Sequence, residues 1–279
     1  MKNVVDANLE DIIAKYQQTD FFYHYIPEKI MKHINEKFDL PSDERVMAFL
    51  SCFLKKNGVC FTEKGIYWRL IGQGKGCFSW EQLKNTKSMK LKDGVLYLDD
   101  KKTFDITGTS YPHDLLIEML EEIKALPIEK DGNDIKASSG FAVNIDKIKT
   151  VCKAFSNYED CSLCKTMSFS LMLEEHIPEM LKISLMKKNK VDKHDTLLVY
   201  INTYLGVGTD GIVISANGVF FSESFLSLFY PWHVFKRLPV DFNKESQELS
   251  IGKGNIFHLN CSITKSEEVL WFLNQLQRQ

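Results

Sequence analysis

The sequence predicts an α+β protein built from two tandem small antiparallel β-barrels, each capped by a C-terminal helix and preceded by a helical segment. Two observations lead to this prediction. The chain carries one series of motifs twice, in the same order, with the second copy 151 to 153 residues after the first. Each copy also has about seven short strand-like segments before an amphipathic helix. Open strand edges invite association, and curling into a barrel or a two-sheet sandwich, with the last helix over an open end, removes that risk.

Five pairs of segments carry the duplication, and each pair keeps its place in the order of the chain. The pairs are YIPEKIMKHI at 25–34 with HIPEMLKISL at 176–185, NGVCFTEKGIYW at 57–68 with DGIVISANGVFF at 210–221, FSWEQL at 78–83 with YPWHVF at 230–235, TFDITG at 103–108 with IFHLNC at 256–261, and DLLIEMLEEI at 114–123 with EEVLWFLNQL at 267–276. A looser echo links NLEDIIAKY at 8–16 to NIDKIKTVC at 144–152. Matches in register along the chain indicate a tandem duplication.

A polar stretch separates the two copies. It contains Pro, Gly and Ser without clear periodicity, which is the composition of a linker. The predicted organisation is a helical segment at 1–42, a barrel at 43–126, the linker at 127–143, a second helical segment at 144–194 and a second barrel at 195–279. Each copy then has an ordinary domain size.

A helix is predicted to open each copy. Pro27 suits the first turn of a helix, because a proline has no N–H to leave unpaired there. Ile30, Ile34 and Phe38 follow at every fourth position and form one apolar face. The second copy repeats this pattern after Pro178.

Strands and a closing helix follow. The apolar run RVMAFLSCFL predicts one strand, and the turn EKG predicts a hairpin in which Gly65 adopts a positive φ. Asp93-Gly94 predicts a second hairpin between two alternating segments. The segment PHDLLIEMLEEIKAL predicts the closing helix, whose buried stripe consists of Leu116, Met119, Leu120 and Ile123.

These residues carry a resemblance to a known family. The pattern FTEKGIYWR…FSWEQL…GVLYL…TFDI followed by a terminal helix resembles bacterial pleckstrin-homology-like and GRAM-like domains, and ISANGVFF…YPW…IFHL resembles the same pattern. The likeness covers 43–126 and 195–279 but not 1–42 or 127–194. It implies a seven-stranded, partly open barrel capped by a helix, used as a non-catalytic binding module for lipid headgroups or proteins.

Bulk composition narrows the function classes. The net charge of −2 argues against a general nucleic-acid binder, which would carry a broad basic excess. No apolar run approaches the roughly 20 residues that span a bilayer, and the N-terminus lacks the apolar core of a secretory signal. We therefore expect a cytoplasmic protein, with peripheral membrane association left open.

The glycine-rich stretch GQGKG raises the question of a phosphate-binding loop. Gly72, Gly74 and Gly76 have no counterparts in the second copy, so the fold does not require them. A phosphate loop needs a following helix, whereas Cys77 to Trp80 reads as a strand. The stretch therefore predicts a hairpin tip, with a ligand-contacting tip that uses Lys75 as the alternative.

Candidate chemistry elsewhere is sparse. Cys152, Cys161, Cys164 and His176 form a weak candidate zinc site whose spacing matches no common zinc finger, and reduced structural thiols are the default interpretation. No catalytic motif is present, so neither an enzyme nor a cofactor is expected. The four tryptophans are interpreted as core aromatics.

Charge differs between the copies. The first copy has nine Lys or Arg against two acids over 46–92, whereas the matching 198–244 has three of each. Any anionic ligand is therefore predicted to bind the first copy, through Lys55, Lys56, Lys64, Lys75, Lys90 and Lys92.

Three functions compete. The preferred one is a non-enzymatic adaptor whose two barrels form a platform for a protein partner. The alternative is a peripheral membrane protein that binds anionic lipid headgroups through the first barrel. The third is an enzyme with an unrecognised site.

Overall fold

The structure is a computed structural model that describes residues 9–52, 57–127, 144–156, 171–192, 194–202, 209–224, 226–259 and 266–279. The chain divides into two compact units, unit 1 at 1–130 and unit 2 at 131–279, and the division falls within 127–143. The described residues form eight α-helices and four antiparallel sheets. The protein therefore has the α+β class that the sequence predicts.

Unit 1 contains four helices and eight strands among its described residues. In chain order they are α1 (Leu9–Lys15), β1 (Phe21–Tyr23), α2 (Glu28–Lys37), β2 (Val46–Cys52), β3 (Asn57–Thr62), β4 (Gly65–Leu70), β5 (Gly74–Ser79), α3 (Trp80–Asn85), β6 (Met89–Lys92), β7 (Val95–Leu98), β8 (Lys101–Asp105) and α4 (His113–Lys124). The strands form one sheet in the order β1-β2-β3-β4-β5 and a second in the order β6-β7-β8.

Unit 2 repeats this series. Its elements are α5 (Ile145–Ser156), β9 (Leu171–Leu173), a 3₁₀ turn (Glu174–His176), α6 (Glu179–Asn189), β10 (Leu197–Asn202), β11 (Gly211–Ser215), β12 (Gly218–Glu223), β13 (Leu226–Pro231), α7 (Trp232–Phe235), β14 (Val240–Asn243), β15 (Glu248–Ile251), β16 (Asn255–His258) and α8 (Ser266–Gln277). Its sheets run β9-β10-β11-β12-β13 and β14-β15-β16. Element order and sheet connectivity thus agree with a duplicated fold.

The sheets differ from the expected barrels in two respects. Within the described residues none of the four sheets closes on itself, because the strands of each unit are divided between an open five-stranded and an open three-stranded sheet. Each unit also has an eighth strand, β1 or β9, in a segment predicted to be helical. These strands have only three residues, too few for a period-2 pattern to be recognised.

One face of each five-stranded sheet is covered by the proline-initiated helix. In unit 1, Ile30, Ile34 and Phe38 pack against Phe49 and Cys60 of the sheet. In unit 2 the corresponding core joins Leu185 of α6 to strand residues that include Tyr200, Val213 and Phe220. The predicted apolar stripe of α2 is confirmed.

The other face of each five-stranded sheet meets the three-stranded sheet. The ring of Trp68 on β4 lies 5.4 Å from that of Phe104 on β8, and Phe221 on β12 lies 5.5 Å from Phe257 on β16. All four residues of the predicted stripe of α4 are buried as well. Each unit therefore buries aromatic side chains between its two sheets.

A hydrogen-bonded hairpin lock recurs in both units. The Gly65 N–H donates to Thr62 Oγ1 at 3.0 Å, and Trp80 Nε1 donates to the Thr62 carbonyl oxygen at 3.0 Å. In unit 2, Gly218 N–H donates to Ser215 Oγ at 3.1 Å and Trp232 Nε1 to the Ser215 carbonyl at 3.2 Å. Both tryptophans are buried, as predicted for core aromatics. The same prediction is wrong for Trp271 on α8, which is 50% exposed.

The glycine of this hairpin has a different role from the predicted one. Gly65 is a strand residue and is not among the glycines with positive φ. A Cβ at Gly65 would lie 2.2 Å from the carbonyl oxygen of Phe78, and a Cβ at Gly218 would lie 2.3 Å from that of Tyr230. Glycine is therefore required here by close backbone approach, not by turn geometry.

Candidate functional site

The structure does not bring the predicted basic residues together. Lys55 and Lys56 lie outside the described residues. Lys64 lies in the β3–β4 turn and pairs with Asp43 at 2.9 Å, whereas Lys75 lies at the start of β5 and pairs with Asp39 at 2.6 Å. The six-residue strand β4 runs between these two ends of the sheet, so they are separated by about 17–20 Å.

The remaining two predicted lysines lie on the other sheet. Lys90 and Lys92 are both exposed on β6, on one face as predicted from their spacing. Lys90 Nζ lies 3.2 Å from Asp100 Oδ1. Lys64, Lys75 and Lys90 are thus each compensated by a neighbouring carboxylate, which weakens any field that these lysines would present to an anion.

The glycine-rich stretch is a β-hairpin tip, as predicted. Leu70 pairs with Gly74 across a three-residue loop, and Gly72 and Gly74 have φ values of +75° and +78°. Gly76 lies across from Trp68, where a Cβ would come within 2.2 Å of the indole ring. The glycines therefore serve a tight turn and the packing of an aromatic ring.

A short helix follows this hairpin, in contrast to the prediction that Trp80 continues a strand. The helix α3 begins at Trp80 because Ser79 and Gln82 form a reciprocal capping box. Strand β5 separates the N-terminus of α3 from the glycines, which lie at the opposite end of that strand. The glycine loop and the helix N-terminus therefore cannot act on one phosphate group.

The candidate zinc ligands are only partly described. Cys161 and Cys164 lie outside the described residues. Cys152 is buried on α5, where burial raises the pKa of its thiol to about 12, and His176 is exposed at the end of the 3₁₀ turn. Such a thiol is unfavourable for metal binding, which requires the thiolate. Among the described residues no group of three or more His, Cys, Asp or Glu side chains is arranged to hold a metal ion.

Buried acids support the hairpin lock. Glu44 accepts hydrogen bonds from the hydroxyls of Thr62 and Tyr67, the latter at 2.8 Å. Asp195, which lies 151 residues later, is also buried, and this burial raises the pKa of its carboxyl group, an effect partly offset by hydrogen bonds from Ser215 and Asn217. Because an acid occupies this position in both units, we assign the pair to the scaffold.

A cluster of one histidine and two glutamates distinguishes unit 2 from unit 1. His258 Nδ1 lies 3.0 Å from Glu223, and His258 Nε2 lies 3.5 Å from Glu248. The Glu223 carboxylate also accepts the backbone N–H of His258 at 3.1 Å. The cluster joins the end of β12 to the three-stranded sheet, and no spacing motif in the sequence indicates it.

The most exposed apolar side chains of any described helix lie on α6. Met180 is 76% exposed and Ile183 is 52% exposed. They share the outward side of the helix with Glu179, Ser184 and Lys187, which are also exposed. We call these five residues the α6 outer face.

The inward side of α6 is also apolar. Leu185 is buried in the sheet core, and Leu181 and Met186 pack against the same core. A helix needs one apolar side to pack on a sheet, so packing within unit 2 does not account for Met180 and Ile183. Spacing along the helix does not indicate these two residues, because only packing on the sheet shows which side of the helix faces outward.

The repeat provides an internal comparison for this face. The positions of Met180 and Ile183 correspond, 151 residues earlier, to Lys29 and Lys32 on α2, and both lysines are exposed. The helices begin alike, since Pro27 and Pro178 precede them with nearly identical backbone angles. Comparing the copies position by position would have revealed the change from charged to apolar.

Comparisons with known proteins do not extend this description. No protein-family model, curated protein or solved structure matches the chain. Among the described residues no helix is long and apolar enough to cross a lipid bilayer.

Proposed function

We propose that this protein is a non-enzymatic binding protein that recognises a protein partner through the α6 outer face of unit 2. One observation carries the proposal: two large apolar side chains, Met180 and Ile183, are exposed on one side of a helix whose other side already packs on its sheet. Adjacent exposed apolar residues of this kind mark interaction surfaces more often than isolated ones do.

The comparison of the two copies supports a function for this face. Inward positions are apolar in both helices, as at Ile34 and Leu185, whereas the outward pair is lysine in one copy and apolar in the other. A solvated lysine pair is compatible with the scaffold, so the scaffold does not need the apolar residues. Binding to a partner would explain the apolar residues, because it removes their surfaces from water.

The resemblance to pleckstrin-homology-like domains is consistent with a binding role. Under this proposal β2 to β8 and α4 correspond to the seven strands and capping helix of such a domain, and β10 to β16 with α8 correspond to the second one. We further propose that the two sheets of each unit together form one partly open barrel. Fold resemblance alone does not decide a ligand, so the α6 outer face carries the functional argument.

Affinity capture from the native cell after chemical crosslinking, which retains weakly bound partners, tests this function. The tagged full chain is compared with a variant carrying Met180→Lys and Ile183→Lys, which installs the side chains that unit 1 has at the same positions. We expect the variant to lose a specific protein that the wild type captures. The matched control carries Lys29→Glu and Lys32→Glu on α2 and should retain it. Equal recovery of every captured protein by both variants would argue against the proposal.

A second candidate function is binding to an anionic membrane surface through unit 1. The observation that favours it is Ile71, which is 61% exposed in the β4–β5 hairpin loop, at the end of the hairpin where Lys75 lies near the start of β5. The matching end of β12 in unit 2 carries Glu223, which is held by His258. Lys75 is paired with Asp39, but an exposed apolar residue near a base still suits an anionic lipid interface better than an acid does.

Vesicle co-sedimentation at low salt tests this second candidate. We expect Ile71→Asp combined with Lys75→Glu to reduce binding to phosphatidylserine vesicles, since each basic residue near such a surface contributes about 1 kcal/mol. Lys64→Glu is the matched control, because Lys64 lies at the opposite end of β4. The membrane candidate fails if the wild type does not sediment with the vesicles.

A further inference from the structure

We propose that the partner of the α6 outer face is a second copy of this chain, and that two α6 helices pair antiparallel about a two-fold axis. The inference rests on the proposed protein-binding function of this face and names the partner. A two-fold contact uses one patch on both subunits, so the patch must be complementary to itself. The α6 outer face has this property in charge and in shape.

Charge is arranged asymmetrically along α6. Exposed Glu179 is the first residue of the helix, after exposed Glu175 in the preceding 3₁₀ turn, and exposed Lys187 lies in its last turn. In an antiparallel pair the acidic end of one helix lies beside the basic end of the other. A parallel pair would place like charges together, which is unfavourable. The charge pattern therefore selects the antiparallel arrangement.

The middle of the face suits close contact between helices. Met180, Ile183, Ser184 and Lys187 follow the i, i+3, i+4, i+7 spacing that places side chains on one helical side. A two-fold axis near Ile183 and Ser184 places each isoleucine against the small serine of the partner subunit. It also places Met180 beside the aliphatic stem of Lys187 of the partner subunit.

The equivalent helix of unit 1 is a poor partner for this face. On α2, Lys29 and Lys32 replace the apolar pair, and Glu36 replaces Lys187. A contact between α6 and α2 of another molecule would bury lysines against Met180 and Ile183. Pairing of α6 with itself is therefore favoured, and it gives a closed dimer instead of an open chain of molecules.

The contact is small, which sets the expected affinity. The 11 residues of α6 span about 16 Å, and one helix pair of this length buries less than the roughly 1,200–2,000 Å² typical of stable complexes. We expect a dimer with a dissociation constant on the order of tens of micromolar. A measurement at low concentration alone would therefore miss it.

Analytical ultracentrifugation of the full chain tests the dimer, at concentrations from about tenfold below to tenfold above the expected dissociation constant. The wild type should shift from monomer to dimer. The variant with Met180→Lys and Ile183→Lys should have a dissociation constant raised by about tenfold or more, whereas Lys29→Glu with Lys32→Glu should leave it unchanged. Circular dichroism melting confirms that each variant is folded.

A charge exchange tests the orientation. Glu179→Lys and Lys187→Glu should each weaken the dimer, and the double variant should restore it, because the exchanged charges face each other again across the two-fold axis. A wild type that stays monomeric throughout, a dimer that the α6 variants do not weaken, or a double variant without recovery would overturn the inference.

If the wild type is monomeric but the Met180→Lys and Ile183→Lys variant still loses a different captured protein, only the identity of the partner is wrong. If that variant loses nothing, the proposed function fails too.

Discussion

Trp80 donates its indole N–H to the carbonyl oxygen of Thr62 at 3.0 Å, and Trp232 makes the same bond to Ser215 at 3.2 Å in the second unit. The repeated bond shows that the two copies keep one internal construction at this hairpin. Their outer surfaces differ, most clearly where Lys29 and Lys32 are replaced by Met180 and Ile183. Substitutions at the hairpin should therefore change the stability of a unit, whereas substitutions on its outer surface should change binding.

Removing the hydroxyl of the hairpin lock should destabilise its own unit. Thr62→Val keeps the shape of the side chain but removes the hydrogen bond to Oε1 of the buried Glu44, which keeps its bond from Tyr67, and removes the acceptor of the Gly65 N–H. We expect the free energy of unfolding to fall by about 1–3 kcal/mol. Urea denaturation measures this, and Thr103→Val, at a half-buried strand position, is the control. A loss no larger than that of the control would contradict the role given to the lock.

The hairpin glycines should be far less tolerant than the glycines of the exposed tip. Gly65→Ala and Gly218→Ala each place a methyl group against a backbone carbonyl oxygen, which cannot move without disturbing the sheet. We expect losses in unfolding free energy of about 3 kcal/mol. Gly74→Ala meets no atom within 4 Å and should cost only about 1 kcal/mol, for its positive φ. Similar losses at Gly65 and Gly74 would show that close approach is not the constraint.

Asp195 should make unit 2 less stable as the pH rises. Burial raises the pKa of this carboxyl group in the folded state above its unfolded value, so the folded protein binds the proton more tightly. Stability is therefore highest below the unfolded pKa, near 4, and is lost as the pH rises through the raised folded pKa. Asp195→Asn removes this dependence, so its stability relative to wild type should be greater at pH 7 than at pH 4. Chemical denaturation at both pH values measures the difference, and the opposite trend would contradict the assignment.

The predictable parts of the fold are those with strong local signals. Asp93-Gly94 forms the predicted hairpin, and both residues have positive φ, as such a turn requires. The capping box of Ser79 and Gln82 is an equally clear local signal, but the sequence prediction continues the strand to Trp80, one residue past its end at Ser79. Strands β1 and β9 could not be predicted, since their three residues have no recognisable pattern and depend on pairing with β2 and β10.

The candidate site shows a different limit of sequence reasoning. The basic excess of 46–92 predicts one lysine site in the first copy, but β4 separates Lys64 from Lys75. The sequence does not indicate the α6 outer face, because Met180 and Leu181 are adjacent and both apolar. Only packing on the sheet distinguishes the outward residue from the inward one. The distance between two residues across a sheet and the direction in which a helix face points both depend on tertiary packing, which a local sequence pattern does not contain.

Oxidation of Met180 by dilute hydrogen peroxide tests the central claim most directly, because this thioether belongs to the most exposed apolar side chain of the α6 outer face. Rates are compared between the purified chain at low concentration and the complex, formed either by the purified chain well above the expected dissociation constant or with a different protein recovered from the native cell, with the half-buried Met186 of the same helix as the internal reference. If a protein covers this face, Met180 should oxidise several-fold more slowly in the complex while the rate at Met186 stays the same. Equal Met180 rates in the two samples would contradict the claim that this face binds a protein.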